Sequence, residues 1–344
     1  TTENETVDKI VDIIEKEQDF YIDCDDEPKS IDVNPEMTQL IEFAGFDKSD
    51  DMLMWELEHA DSVVTRARAA QKLRDKDKKQ IVEALARAMH EDSFYWVQAE
   101  AASALGALTT DKVKEILIGA IDHPEPDVRE QIANALGNFV RDESVVEPLR
   151  RMLEEDRSLR TASAAARSLG KLDLPKETRK ILARNIKEDS FRNSIRIGVI
   201  NALSGFENPR IIDTLDDYTD RDQDLRVRCE AIRGMGELGQ YLDEDDQDDV
   251  LDDLLEFLED KNDRIRRAAM DALGSLGNSR AIDNLRAHQR SDPSSRLKET
   301  ARHTIDRIRD SQKDLPKENA DKIEELEKKQ EEMYKIIEEL KKKL

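Results

Sequence analysis

The chain has 344 residues and a formal charge of −24, from 79 acidic and 55 Lys and Arg side chains. That balance argues against general binding to nucleic-acid phosphates or anionic membranes, which need a positive surface. Aromatics are only 4% of residues, against a large sheet core, and no apolar run approaches the roughly 20 residues that cross a bilayer.

The first residues, "TTENETVDK", are polar and acidic and give no secretory leader. Cys24 and Cys229 lie far apart on different predicted elements, which reads as two free thiols in a reducing compartment. A cytoplasmic location is therefore expected. "TVDKIVDIIEKEQDFYIDC" (6–24) predicts strand–turn–strand with "EKEQ" at the turn. Phe20, Ile22 and Cys24, then Ile31 and Val33, alternate as strand residues that cover an apolar surface. Residues 1–46 are thus expected to form a β-hairpin or β-ribbon, the end of a β-sandwich.

A repeat runs through residues 47–309. "WVQAEAASALGAL" (96–108) is followed by "DVREQIANALGNF", "LRTASAAARSLGKL", "IRIGVINALSGF", "LRVRCEAIRGMGEL" and "IRRAAMDALGSLG" (265–277). One apolar position marks each copy: Leu73, Leu105, Leu136, Leu169, Leu203, Met235, Leu273 and Ile305. The steps are 31 to 34 residues, except one of 38 that holds the acidic insertion "DEDDQDD". Between the copies lie other amphipathic stretches with the helical period, such as "KQIVEALARAMHE" (79–91). Each unit is then two helices, A and B. Alanines three or four places before the marker let neighbouring helices approach. Gly after the marker, at 106, 137, 170, 236 and 274, predicts helix ends in the left-handed conformation. The fold class is all-α, a HEAT-repeat α-α superhelix (solenoid) of about eight helix pairs. It is preceded by the β-ribbon and followed by a coiled-coil-like helix.

An Arg or Lys recurs seven places before the marker: Arg66, Arg129, Arg196, Arg228, Arg266 and Lys298. This reads as a ladder paired with carboxylates of adjacent repeats, Asp127 or Asp263 for example, rather than a basic groove. Residues 310–344 form a linker and an amphipathic helix. Ile323, Leu326, Met333, Ile337, Leu340 and Leu344 keep a 3-4 spacing, which fits a homodimeric coiled coil through residues 323–344 or a cap on the last repeat.

No catalytic constellation is found. Zinc peptidases need H-E-x-x-H, and among the five histidines only His90 precedes a Glu, in "HEDSF". No Cys/His spacing suits zinc. The acidic runs "TDRDQDLR" and "DEDDQDDVLDDL" lack the Gly and Glu of a calcium loop. The expected catalytic, cofactor and metal sets are empty. "SFYW" (93–96) is the densest aromatic cluster. It reads either as packing between repeats or as a partner anchor through Tyr95 and Trp96.

The order of ribbon, "FDKSDDMLMWELEHADSVVTRARAAQKL" lead-in and repeats resembles the C-terminal region of aminopeptidase N-like zinc metallopeptidases and the related TBP-associated factor. The resemblance implies a helical domain that covers a peptidase site or makes partner contacts. It carries over no catalytic residue, and zinc would belong only to an upstream domain. The expected function is a non-catalytic scaffold for a protein or peptide partner. Alternatives are a free-standing HEAT adaptor binding on its concave face, whose groove helix B side chains would line, or a fragment that shares its parent's zinc aminopeptidase activity.

Overall fold

The computed structural model describes residues 6–12, 14, 15, 18–23, 26–34, 47–188, 190–206, 208 and 210–313. The chain divides into two compact units, Thr1–Leu203 and Ser204–Leu344. In the first unit the helices are α1 (Asp50–His59) and α2 (Val63–Leu73), α3 (Lys79–Glu91) and α4 (Tyr95–Leu105), α5 (Asp111–Gly119) and α6 (Pro126–Leu136), α7 (Val146–Glu155) and α8 (Leu159–Lys171), then α9 (Pro175–Asn185) and α10 (Ser194–Ser204). The second unit holds α11 (Ile211–Asp216) and α12 (Leu225–Gly239), α13 (Glu244–Leu258) and α14 (Asp263–Leu276), and α15 (Ile282–Ser291) and α16 (Ser295–Lys313). The acidic insertion lengthens α13, whose N-cap Asp243 accepts from the Asp246 N–H.

All eight marker residues are buried, from Leu73 at 0% exposure to Ile305 at 4%. Each such side chain contributes roughly 1.5–3 kcal/mol by leaving water. One helix pair cannot enclose its own marker, so burial depends on stacking. In the first unit the B helices α2, α4, α6 and α8 each pack directly on the next. The A helices make fewer such contacts, chiefly α1 with α3 and α7 with α9. The B row is therefore the more closely packed side of this stack, with one face turned away from the A helices.

The glycines after the markers do not end helices in the left-handed conformation. Gly106 and Gly137 have φ of −63° and −65°, and Gly170, Gly236 and Gly274 lie inside helices. Only Gly277 adopts positive φ among the described glycines. Their use is close approach. A Cβ on Gly106 would lie 2.4 Å from the Ala135 Cβ, and one on Gly170 2.8 Å from the Ala202 backbone. The missing side chain sets how tightly the B row packs.

The β-ribbon is not found: none of the described residues before α1 lies in a strand. Described residues of this stretch approach one another through side chains instead, as in Lys9 Nζ donating to the Tyr21 carbonyl at 2.8 Å. Val7, Ile10, Phe20, Tyr21 and Ile22 stay exposed. An isolated hairpin is marginal in water, and no third strand is described here to hold one. The following segment, 28–34, has the opposite facing to that expected. Ile31 and Val33 are each 41% exposed, whereas Ser30 is buried. The Ser30 hydroxyl donates to Glu56 at 2.8 Å, and the Lys48 ammonium reaches the same carboxylate at 2.6 Å. Glu56 is 1% exposed, and a buried carboxylate needs such partners more than two aliphatic side chains need burial. Thr65 donates to Asp32 alongside. The segment is a strap on α1 and α2.

Candidate protein-interaction surface

The recurrent arginines build the frame of the surface. Arg66, on α2, donates through Nε and Nη2 to Asp92 at 2.8 and 3.1 Å. Its Nη1 reaches the carbonyls of Ala60 and Asp61, at the end of α1. Arg129 repeats this with Asp156 at 2.7 and 2.9 Å and with the His123 and Pro124 carbonyls. In the second unit Arg266 does the same with Asp292 and the Asp260 and Lys261 carbonyls. Arg228 makes a looser version, to Asp260 at 3.4 Å and to the Thr219 carbonyl. Arg196 takes the carbonyls of Ile186 and Lys187 and the Asn193 side chain. Lys298 makes no such clamp among the described residues.

The ladder reading therefore holds for Arg66, Arg129, Arg228 and Arg266, with different acids from those named. Asp127 pairs with Arg160 instead. The clamping acids Asp92, Asp156 and Asp292 are C-cap residues of A helices. A negative charge there opposes the helix dipole, and the guanidinium of the preceding repeat offsets it. Arg66, Arg129, Arg228 and Arg266 thus tie the end of their own A helix to the end of the next.

One rung differs. Seven places before Leu105 stands Gln98, and the turn that should offer an acid offers His123, which is 6% exposed. His123 Nδ1 accepts from the Glu125 N–H at 3.2 Å, the role Asp92 plays for Phe94. Its ring centroid is 6.1 Å from that of His90. Burial first, and His90 second, push the His123 pKa below its ordinary 6.5. Neutral His123 therefore contributes stability above about pH 6.5 that is lost as pH falls through its lowered pKa. The urea midpoint of the first unit is expected to drop more between pH 7 and pH 5.5 than that of a His123→Asn variant, which keeps the acceptor. Equal drops in the two proteins would remove His123 as the cause.

The aromatic cluster lies at the start of α4, with Phe94 as its N-cap and Tyr95 and Trp96 as its first two residues. Phe94, Tyr95 and Trp96 are 39, 47 and 37% exposed, while Val97 is fully buried. The packing reading of the cluster is thus not what the structure shows. Asp92 fixes the turn by accepting from the Phe94 N–H at 2.9 Å. The Phe94 and Tyr95 ring centroids are 5.0 Å apart, and the Trp96 indole N–H donates to Glu100 at 3.0 Å. Trp96, Glu100 and Ser103 follow i, i+4, i+7 spacing and share one face of α4. That face continues on neighbouring B helices through Gln71 and Asn134, whose side-chain amides make no hydrogen bond among the described residues.

Among the described residues no group of three or more His, Cys, Asp or Glu side chains could hold a metal ion. Cys229 is a free, buried cysteine whose thiol pKa burial raises. Cys24 and the expected coiled coil over residues 323–344 lie outside the described residues. No helix among the described residues is long and apolar enough to cross a membrane.

These features define an α-helical repeat protein whose two-helix units are clamped to one another. A family model for HEAT repeats matches residues 51–127, 114–194 and 240–306, together more than half of the chain. The chain belongs to the HEAT-repeat family. No curated protein matches it. It is similar in fold to the complex of CpcE and CpcF of phycocyanin lyase from Nostoc sp. PCC7120, at 20% identity and TM-score 0.39 over 79% of this chain and 97% of that one. Human deoxyhypusine hydroxylase in complex with glycerol aligns at 18% identity and TM-score 0.35, over 76% and 96%. Kap95p bound to RanGDP aligns at 13% identity and TM-score 0.49, over 75% and 40%. The family match lends no support to the aminopeptidase N and TBP-associated factor resemblance, whose ribbon is also missing from the described residues.

Proposed function

We propose that this chain is a non-catalytic HEAT scaffold that binds a protein or peptide partner at the Phe94–Trp96 turn and the adjoining open face of the B row. The exposed aromatic turn carries this reading. Large amphipathic rings immobilised by their own turn lose little entropy on binding and are typical anchors of protein interfaces. No reaction or cofactor is assigned to the chain. The aminopeptidase-like setting would put zinc and catalysis in an upstream domain, and only the lead-in segment "FDK…ML" speaks for it.

Panning random peptides displayed on phage against the chain tests the reading. Enriched peptides are expected to lose at least about tenfold in affinity against a Tyr95→Ala, Trp96→Ala variant, a loss of about 1.4 kcal/mol. If no enriched peptide depends on these two side chains, the assignment of the surface is wrong.

A further inference from the structure

We propose, building on the reading of the aromatic turn as a partner site, that its occupant is an extended, arginine-rich segment of a partner protein. The charges around the rings point there. Glu91 and Glu125 are exposed and make no ion pair among the described residues. Glu125 holds, in the next repeat, the position that Phe94 holds in its own. Asp61 is likewise exposed and unpaired on the turn before. Glu100 lies against the Trp96 indole. Of the basic side chains on these turns, Arg66 and Arg129 are held by their aspartates and carbonyls, while Arg157, two repeats further on, is exposed without an ion pair among the described residues. Arg160 is held by Asp127 and Glu130. Arg68 lies a further turn along α2, lining the cleft beneath the strap. The aromatic faces are thus bordered mainly by carboxylates that form no ion pair, with Arg87 and Arg129 acting on Glu91 and Glu125 only at longer range.

A planar cation fits such a surface better than a lysine or an apolar side chain. A guanidinium stacks on an aromatic ring while its edge donates to carboxylates. The same unit contains an example. "EDSF" at 91–94 recurs at 188–191, and there Arg192 stacks on the exposed Phe191 ring with Cζ 5.1 Å from the centroid. In that turn the chain supplies its own arginine. At Phe94 the next residues are Tyr95 and Trp96, and no arginine of the chain stacks on them among the described residues. An unstructured segment suits the site because the rings are exposed at the start of a helix and do not line the cleft beneath the strap.

A fluorescein-labelled peptide of Arg-Gly-Ser repeats is the probe, read by anisotropy at fixed ionic strength. The same peptide with citrulline for arginine has the planar group without its charge. The arginine peptide is expected to bind, and the Tyr95→Ala, Trp96→Ala variant to weaken it at least about tenfold. A Glu91→Gln, Glu125→Gln variant, which keeps the rings, is expected to weaken it by a smaller factor. The citrulline peptide is expected not to bind. Equal binding of the arginine peptide by wild type and the ring variant would reduce the effect to the chain's charge of −24 and overturn the proposal. So would binding of the citrulline peptide, or ring-dependent self-association in sedimentation velocity. Phage peptides that bind through the rings but carry no arginine would overturn the partner class and leave the partner site standing. If no peptide of any kind binds through the rings, the site itself falls.

Discussion

Asp292→Ala is expected to destabilise the second unit by about 3–5 kcal/mol, with Arg266→Ala costing a similar amount and the double variant little more than either. The Asp292 side chain is 1% exposed and that of Arg266 14% exposed. Their carboxylate and guanidinium meet at 3.0 and 3.4 Å, and the Ser294 N–H donates to the same carboxylate at 2.8 Å. Removing one partner leaves a buried charge with no counter-ion, which costs more than the pair contributes when intact. Losing the arginine also strips two carbonyls at the end of α13 of their donor. Burial alone would raise the Asp292 pKa, but the Ser294 N–H and Arg266 outweigh it and hold the carboxyl below its ordinary 3.8. The clamp should therefore survive mild acid and fade only as pH falls below about 4. Urea unfolding followed by circular dichroism gives the double-mutant cycle. Additive losses from the two single variants would show that the two groups act independently and that the clamp is not a unit.

Gly236→Ala should be nearly as damaging, at about 3 kcal/mol. A Cβ there would fall 2.3 Å from the Ala272 carbonyl oxygen and 2.5 Å from its Cα. Both are backbone atoms of α14, so no rotamer change relieves the contact, and the two helices must part. Gly119→Ala is the control, because its Cβ would meet nothing within 4 Å at the end of α5. That substitution is expected to be neutral or to stabilise by up to about 1 kcal/mol. Urea midpoints compare the two directly. A Gly236→Ala protein as stable as the Gly119→Ala protein would mean that α12 and α14 are not in backbone contact.

The helix pairs and their buried markers were legible because both depend on spacing alone. A residue that must face the same neighbour in every repeat recurs at the repeat length, as Leu73, Leu105 and Leu136 do. The arginines were legible for the same reason. Their partners were not, because an Asp after a helix, as at Asp92 and Asp156, looks like ordinary turn chemistry. Only the folded chain shows that it needs a cation from the repeat before. The glycines were misread because a helix-end signal and a close-packing signal use the same residue. The ribbon failed for a different reason. Alternation at Ile31 and Val33 says which residues share a face, but not which face is buried, and the buried Glu56 carboxylate decided that. The exposure of Phe94, Tyr95 and Trp96 was likewise beyond composition, since a core short of aromatics would use any ring it could reach.

The strap at residues 28–34 bears on how the first described helix pair is covered. Thr161 donates to the Pro126 carbonyl of the preceding repeat. Thr65, at the same position in the first described pair, donates to Asp32 of the strap. The strap thus stands where another repeat would stack. A bare end of a repeat array is complementary to the other end of a second copy, and head-to-tail contacts of that kind grow without closing. With Asp26 and Glu27 exposed on its approach, the strap would offer an incoming copy charge in place of a helix pair.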